Sequence, residues 1–384
     1  MYTAFRGGHV YCTALREFVR TDILCEDDRI VDASCTDIPT AARVIDCTGQ
    51  YIIPGLVDIH THGRTKMDFN TAGEQDVHEL RHSYAAVGTT TIMATLASAT
   101  IESLIASMEA IGKNRTVEPG IATIAGTHLE GRYLNPKRRG AHAPELLHSL
   151  DADELEGFIK RMLPLPIHIS SACELEGGEE FVRRARSLGA TCGMVHSDAT
   201  YEEAMNAVSW GVTSFTHTYN AMRPIHHREP GNMIASLLTD SAYSEFIVDG
   251  EHSHPKMIEL AGRMKPADKL ILVTDSMEAA GCEDGEYSIA GLPVYVKNGR
   301  AVNSEGALAG STLDLFTAVC NYMSFTGRPL EEAILCATSN PAAMLGIDNE
   351  CGRIANGLRA DLVMIENKEA PVRVAVYAGG EIVR

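Results

Sequence analysis

The sequence predicts a (β/α)8 barrel carrying a small β-sandwich built from both chain ends. Three observations point to it. Eight apolar, β-branched runs alternate with amphipathic segments between residues 55 and 275, which implies parallel strands joined by crossover helices. Short β-type runs broken by turn residues fill both ends of the chain. Metal-capable and proton-transferring side chains recur where the central runs end, the position at which a barrel gathers its chemistry.

The sandwich is expected from residues 1–53 together with 350–384, and the barrel from 54–349. At the N-terminal end, residues 18–24 read as a short β-type run, and Gly7-Gly8, Asp27-Asp28 and Pro39 mark turns. At the C-terminal end, residues 352–354, 360–365 and 372–383 read as short strands. The central runs are 55–60, 89–96, 121–130, 166–173, 191–196, 212–217, 245–252 and 270–275. Between them, residues 101–111 are amphipathic. Residues 201–210 form a helix capped by Thr200, with Glu203 reaching back in a capping box and Gly211 as the stop. No GxGxxG follows the first central run, which argues against a doubly wound nucleotide-binding sheet.

Composition narrows the function. The chain has 384 residues, 45% of them hydrophobic, and a formal net charge of -18. Such acidity disfavours nucleic acid and anionic membrane surfaces. No stretch approaches the 18 or so apolar residues of a membrane span. The first residues lack an apolar run behind a basic stretch, so a cytoplasmic protein is expected. The ten cysteines form no CxxC pair and read as reduced, mostly core thiols. Lys137-Arg138-Arg139 is the densest basic run. It reads as a solvated loop, with attraction of an anionic substrate left open.

Six of the eight central runs end in a chemically useful group. His60 and His62 close the first, Glu130 the third, His196 the fifth, His217 the sixth, His252 the seventh and Asp275 the eighth. Residues two apart on a strand share a face, so His60 and His62 can point at one ion. Glu130, His196 and His217 form a three-ligand set that leaves room for water, as a catalytic metal centre requires. Asp275 is placed to accept a proton and return it to a leaving group. One or two divalent ions are expected. His/Glu ligands favour zinc and leave iron open.

The motifs PGLVDIHTHG (54–63), THLEG (127–131), GAH (140–142), the long block from 196 to 231, VDGEHSHP (248–255), LVTDSMEAAG (272–281), LAGSTL (308–313) and NPAAMLG (340–346) carry a resemblance over nearly the whole chain. It resembles the N-acetylglucosamine-6-phosphate deacetylases of the amidohydrolase superfamily. The resemblance implies the same barrel and sandwich, hydrolysis of the acetamide of an amino-sugar 6-phosphate with release of acetate, and a homodimer. It implies that Glu130, His196 and His217 hold the principal metal, with His60 and His62 marking a second position. Asp275 matches the general acid/base and His252 a histidine at the sugar or carbonyl. His142, Asn220 and Ala221 match substrate-contacting positions, Arg228 a phosphate-binding arginine often supplied across the dimer, and Leu308 and Ala309 a loop lining the acetyl pocket.

Two departures stand out. Proline is usual after THLEG, and here the residue is Arg132. The stretch after HTHG is usually glycine-rich, and here it is Arg64-Thr65-Lys66-Met67. Both are expected near the barrel mouth, adding positive charge that captures a phosphate or admits a related sugar such as the galactosamine epimer. A dihydroorotase-like or dipeptidase-like enzyme is disfavoured, because the fourth run reads IHISSACE and offers no lysine to bridge two metals. A catalytically dead barrel is disfavoured by the intact ligand set.

Overall fold

The computed structural model describes residues 1–383. Eight parallel strands form the central sheet in sequential order: β1 (Leu56–Thr61), β2 (Thr89–Leu96), β3 (Thr123–Glu130), β4 (Ile167–Ser171), β5 (Thr191–Met194), β6 (Ser214–Phe215), β7 (Tyr243–Ile247) and β8 (Leu270–Val273). The sheet closes just past β8. Thr61 bridges Ser276 in parallel register, and the Asp275 amide donates to the His60 carbonyl at 2.8 Å. Helices cover the outside. Leu129 of β3 joins Leu155, Phe158 and Ile159 in the buried layer between strand and helix. Its neighbours His128 and Glu130 take the opposite, inward face. The capped helix is Tyr201–Trp210, with Thr200 Oγ1 accepting from the Glu203 amide at 3.2 Å and Glu203 Oε2 accepting from the Thr200 amide at 2.8 Å.

The two chain ends meet in a pair of sheets. One has four strands from Tyr2–Arg6, Asp22–Glu26, Arg29–Cys35 and Arg43–Asp46. The other has six, and includes His9–Cys12, Tyr51–Pro54, Leu362–Glu366 and Val372–Ala378. Phe5, Ile23, Cys25, Ile52, Leu362, Met364 and Tyr377 are buried together as their shared core. No helix among the described residues is long and apolar enough to cross a membrane.

Several features differ from the sequence reading. Residues 352–354 lie in no strand, and the 18–24 run divides at Thr21 between Glu17–Arg20 and Asp22–Glu26, which belong to different sheets. The seventh strand ends at Ile247, not at His252. Gly250 turns the chain at φ +83°, and Asp249 Oδ1 accepts the amides of Glu251 and His252, so His252 sits in a loop. A three-stranded antiparallel sheet (Gly285–Ile289, Leu292–Lys297 and Arg300–Asn303) follows β8 and folds over one side of the barrel mouth. The barrel interior also carries a polar layer, which includes the fully buried His128, His168, Ser170, Thr216 and Glu245.

Candidate active site

At the C-terminal ends of the strands the candidate residues converge. Glu130, the last residue of β3, is the hub. Its Oε1 lies 2.9 Å from His217 Nε2 and 3.4 Å from His196 Nε2. Its Oε2 lies 3.2 Å from His60 Nε2 and 3.1 Å from His62 Nε2. Asp275 Oδ1 lies 3.4 Å from His60 Nε2 and 3.1 Å from His62 Nε2. Four imidazoles and two carboxylates thus face one small volume, and His60 Nε2 and His62 Nε2 are only 3.3 Å apart.

The backbone is bent to bring them there. His196, His217 and Asp275 each stand two residues past the end of their strand, at φ +44°, +31° and +50°. Non-glycine residues rarely adopt such values, and strain of this kind concentrates at functional sites. The sequence reading carried the fifth, sixth and eighth runs through these residues, but the strands stop at Met194, Phe215 and Val273, before the turn.

Electrostatics favour a cation. Burial opposes charge on Glu130 and Asp275, but the surrounding imidazoles outweigh it. Glu130 is held well below the usual carboxylate range, and His60 and His62 hold Asp275 at about 2. Conversely, burial works against a charged His62, but its bonds to Asp275 and Glu130 lift it to about 10. The site is a sink for positive charge with converging nitrogen and carboxylate donors, the chemistry a divalent ion requires. His196 shows the matching outer bond. Its Nδ1–H donates to the Arg138 carbonyl at 2.6 Å, which leaves the Nε2 lone pair facing Glu130. The residues present therefore fit a metal ion, with His60, His62, Glu130 and Asp275 in one compact group.

The cluster opens on a cavity of about 460 Å³. Its lining includes His142, Asn220, Ala221, His252, Leu308 and Ala309, all of which the resemblance marked as contacts. Arg228 is not among the lining residues. It is exposed, with Nη1 2.8 Å from His227 Nε2. The cations that do line the cavity are Lys137, Arg138 and Arg139. Arg138 is held by Asp198 at 2.8 Å and Arg139 by Glu305 at 2.8 Å, while the Lys137 side chain is 78% exposed. The basic run is thus part of the site wall and more than a solvated loop.

The expectation that Arg132 and residues 64–67 add charge at the mouth is corrected. Arg132 is buried, with Nε donating to Glu154 Oε1 at 3.0 Å and Nη1 to the Ala99 carbonyl at 3.0 Å. Arg64 is buried beside Tyr84, its guanidinium 5.5 Å from the ring centre. None of these residues lines the cavity. In both cases a nearby acidic or aromatic partner pulls the cation inward.

Sequence reasoning missed Asp249. Its Oδ2 accepts from His252 Nδ1 at 2.7 Å. Burial would lower His252, but the bond to Asp249 outweighs it and raises it. The signal was present, since Asp249 lies three residues before His252, but no periodicity linked them. The wall made by Ile289, Ala290 and Leu292 was also missed.

Comparison with known proteins adds a separate line. Residues 51–383 match the amidohydrolase family. The N-acetylglucosamine-6-phosphate deacetylase of Vibrio furnissii is 34% identical over 316 residues, spanning 82% of this chain and 79% of that protein. The N-acetylgalactosamine-6-phosphate deacetylase of Escherichia coli O157:H7 is 32% identical over 341 residues, 88% of this chain and 90% of that one. A mutant N-acetyl-D-glucosamine-6-phosphate deacetylase of Mycobacterium smegmatis, solved in complex with N-acetyl-D-glucosamine-6-phosphate, superimposes with a TM-score of 0.91 at 29% identity, with all of both chains covered.

Proposed function

This chain belongs to the amidohydrolase family, and from that premise we propose that it is a metal-dependent deacetylase converting N-acetyl-D-glucosamine 6-phosphate to glucosamine 6-phosphate and acetate. The observation that carries this reading is the convergence of His60, His62, His196 and His217 on Glu130, with Asp275 against His60 and His62, at the floor of a cavity walled by Lys137, Arg138 and Arg139. That floor suits amide hydrolysis and that wall suits a phosphorylated substrate.

Glu130, His196 and His217 would hold the principal ion, and His60 with His62 a second position. A divalent ion there supplies Lewis acidity toward water and the amide carbonyl. Asp275 is the proton carrier. Its carboxylate accepts a proton from the attacking water and delivers it to the departing nitrogen, which must leave as an amine. His252 meets the charge that develops on the carbonyl oxygen. Its Nδ1–H is committed to Asp249, so its Nε2 donates only when the ring is protonated, and Asp249 favours that state. Leu308 and Ala309 would border the acetyl methyl, and Asn220 and Ala221 the sugar. Arg228 is exposed and does not line the cavity of its own chain, so we assign it to phosphate binding across a homodimer. Within one chain the 137–139 loop draws in the phosphate.

A second reading, N-acetylgalactosamine 6-phosphate as substrate, is favoured by one observation. The relative named for that activity aligns as fully and about as closely as those named for the gluco-epimer. Turnover of both epimers by one preparation, with metal content measured on the same sample, tests the two readings. Higher kcat/KM for the gluco-epimer is expected. A clear preference for the galacto-epimer replaces the first reading with the second. Protein that holds no metal and gains no activity when zinc or iron is added overturns both.

A further inference from the structure

His142 and His196 lie side by side at the cavity wall, with ring centroids 4.8 Å apart and planes at 82°. A nitrogen or oxygen from each of Glu130, His142 and His196 falls within 4.8 Å of the others. By proximity alone His142 could pass for a metal ligand. The hydrogen bonds behind the two rings separate them.

The Nδ1 atoms face opposite kinds of group. His196 Nδ1 meets a carbonyl, that of Arg138 at 2.6 Å. A carbonyl only accepts, so the proton is on Nδ1 and the Nε2 lone pair is free for an ion. His142 Nδ1 meets the Ser98 amide at 3.4 Å and Ser98 Oγ at 2.9 Å. An amide N–H only donates, so His142 Nδ1 must carry its lone pair. The hydroxyl agrees. Ser98 Oγ already accepts the Arg132 amide at 2.9 Å, which frees its own proton for His142. The chain of donors runs from Arg132 N–H to Ser98 Oγ–H to His142 Nδ1. The remaining His142 proton then sits on Nε2. No protein group among the described residues bonds that nitrogen, and the ring lines the cavity.

Arg132 supports this from its backbone. It stands at φ +62°, a value closed to proline, which also lacks the N–H. The residue that departs from the usual proline is therefore the one that anchors the relay.

We propose that Ser98 is a positioning residue that fixes His142 as the Nε2–H tautomer, making His142 a neutral hydrogen-bond donor to a hydroxyl oxygen of the bound sugar and excluding it from the metal. The tautomer follows from the protein alone. Only the identity of the accepting oxygen rests on the deacetylase reading.

The test uses zinc-loaded protein and three measurements. Nitrogen-15 spectra of histidine-labelled protein should show a proton on Nε2 and a bare, pyridine-like Nδ1 for His142, assigned by its loss in His142→Ala. Metal content should be unchanged in His142→Ala and in Ser98→Ala. With N-acetylglucosamine 6-phosphate, Ser98→Ala should raise KM roughly 3- to 10-fold with little change in kcat, the effect of loosening one neutral hydrogen bond formed equally in ground and transition states. Ser98→Thr keeps the hydroxyl and should restore KM. A proton found on Nδ1, or a loss of metal in His142→Ala, overturns the inference. So does an unchanged KM in Ser98→Ala. If the unsubstituted protein turns over no N-acetylhexosamine 6-phosphate, the functional reading falls, and the tautomer and the metal content still decide the role of His142.

Discussion

Arg132 gives the sharpest test of how position decides the work of a charge. Its side chain is 4% exposed and that of Glu154 is 19% exposed. Two guanidinium nitrogens reach the carboxylate, Nε at 3.0 Å and Nη2 at 3.3 Å, and the Tyr133 hydroxyl donates to the same carboxylate at 2.7 Å. Arg132→Met keeps the apolar stem and the backbone amide but removes the fork. Glu154 is then left largely buried with one neutral donor. Breaking a buried pair by removing one partner costs roughly 3–5 kcal/mol, and the residual exposure of Glu154 puts this case near the lower end, about 3 kcal/mol. Replacing Glu154 with Gln in the same chain removes the stranded charge and should recover a large share of the loss. Chemical denaturation of both single variants and the double variant measures this coupling. KM for the phosphorylated substrate should stay within about twofold, because the guanidinium points away from the cavity. If Arg132→Met left stability within about 0.5 kcal/mol and instead weakened binding of the phosphorylated sugar, the inward placement would be wrong and Arg132 would belong at the mouth.

The remaining predictions concern the site and the polar layer beneath it. Asp275→Asn should keep the metal and lose at least about a hundredfold in kcat, as removal of a general acid/base does. Glu130→Ala should lose the metal, which elemental analysis reads directly. Arg228→Ala should raise KM for the phosphorylated sugar roughly tenfold and leave an unphosphorylated analogue unaffected; an equal effect on both would remove Arg228 from the phosphate. Asp249→Asn withdraws the group that raises His252, so His252 deprotonates at lower pH and the alkaline limb of the kcat profile should move down. An unmoved limb would argue that His252 acts as a neutral group. Glu245 is fully buried, neither carboxylate oxygen has a hydrogen bond of ordinary geometry, and burial pushes it from 4.5 up to about 7. With the folded-state value raised, its contribution is fully present below pH 4.5 and is lost as pH rises toward 7, about 3 kcal/mol as an upper bound. In metal-free protein, Glu245→Gln should therefore gain stability relative to the unsubstituted chain between pH 5 and 8, and a pH-independent difference would refute the buried-acid account.

Much of the frame was legible in the sequence because it rests on local periodicity. Eight β-branched runs separated by amphipathic segments specify parallel strands and their order, and the boundaries of the second and last runs lie close to those observed. Thr200, Glu203 and Gly211 specify a helix start and stop through contacts a few residues apart. The cluster of metal-capable side chains was legible for the same reason, since the end of each strand lies at one mouth once the barrel is granted.

What the sequence could not determine was anything set by a partner distant along the chain. His252 is the local exception: it left its strand because Asp249 and Gly250, three and two residues before it, turn the backbone first. Arg132 and Arg64 were expected at the mouth because their charge was visible, but Glu154 and the Tyr84 ring that draw them inward were not visible as neighbours. Lys137, Arg138 and Arg139 became the cavity wall through Asp198 and Glu305, which lie far along the chain. The donor or acceptor character of His142 and His196 was settled by an amide and a carbonyl, groups that every residue carries and that no sequence pattern marks. Residue types and their spacing thus determined the barrel and the metal-capable set. Tertiary structure decided where each charge is neutralised and which nitrogen holds each proton, because both depend on distances of a few ångströms between residues that only folding brings together.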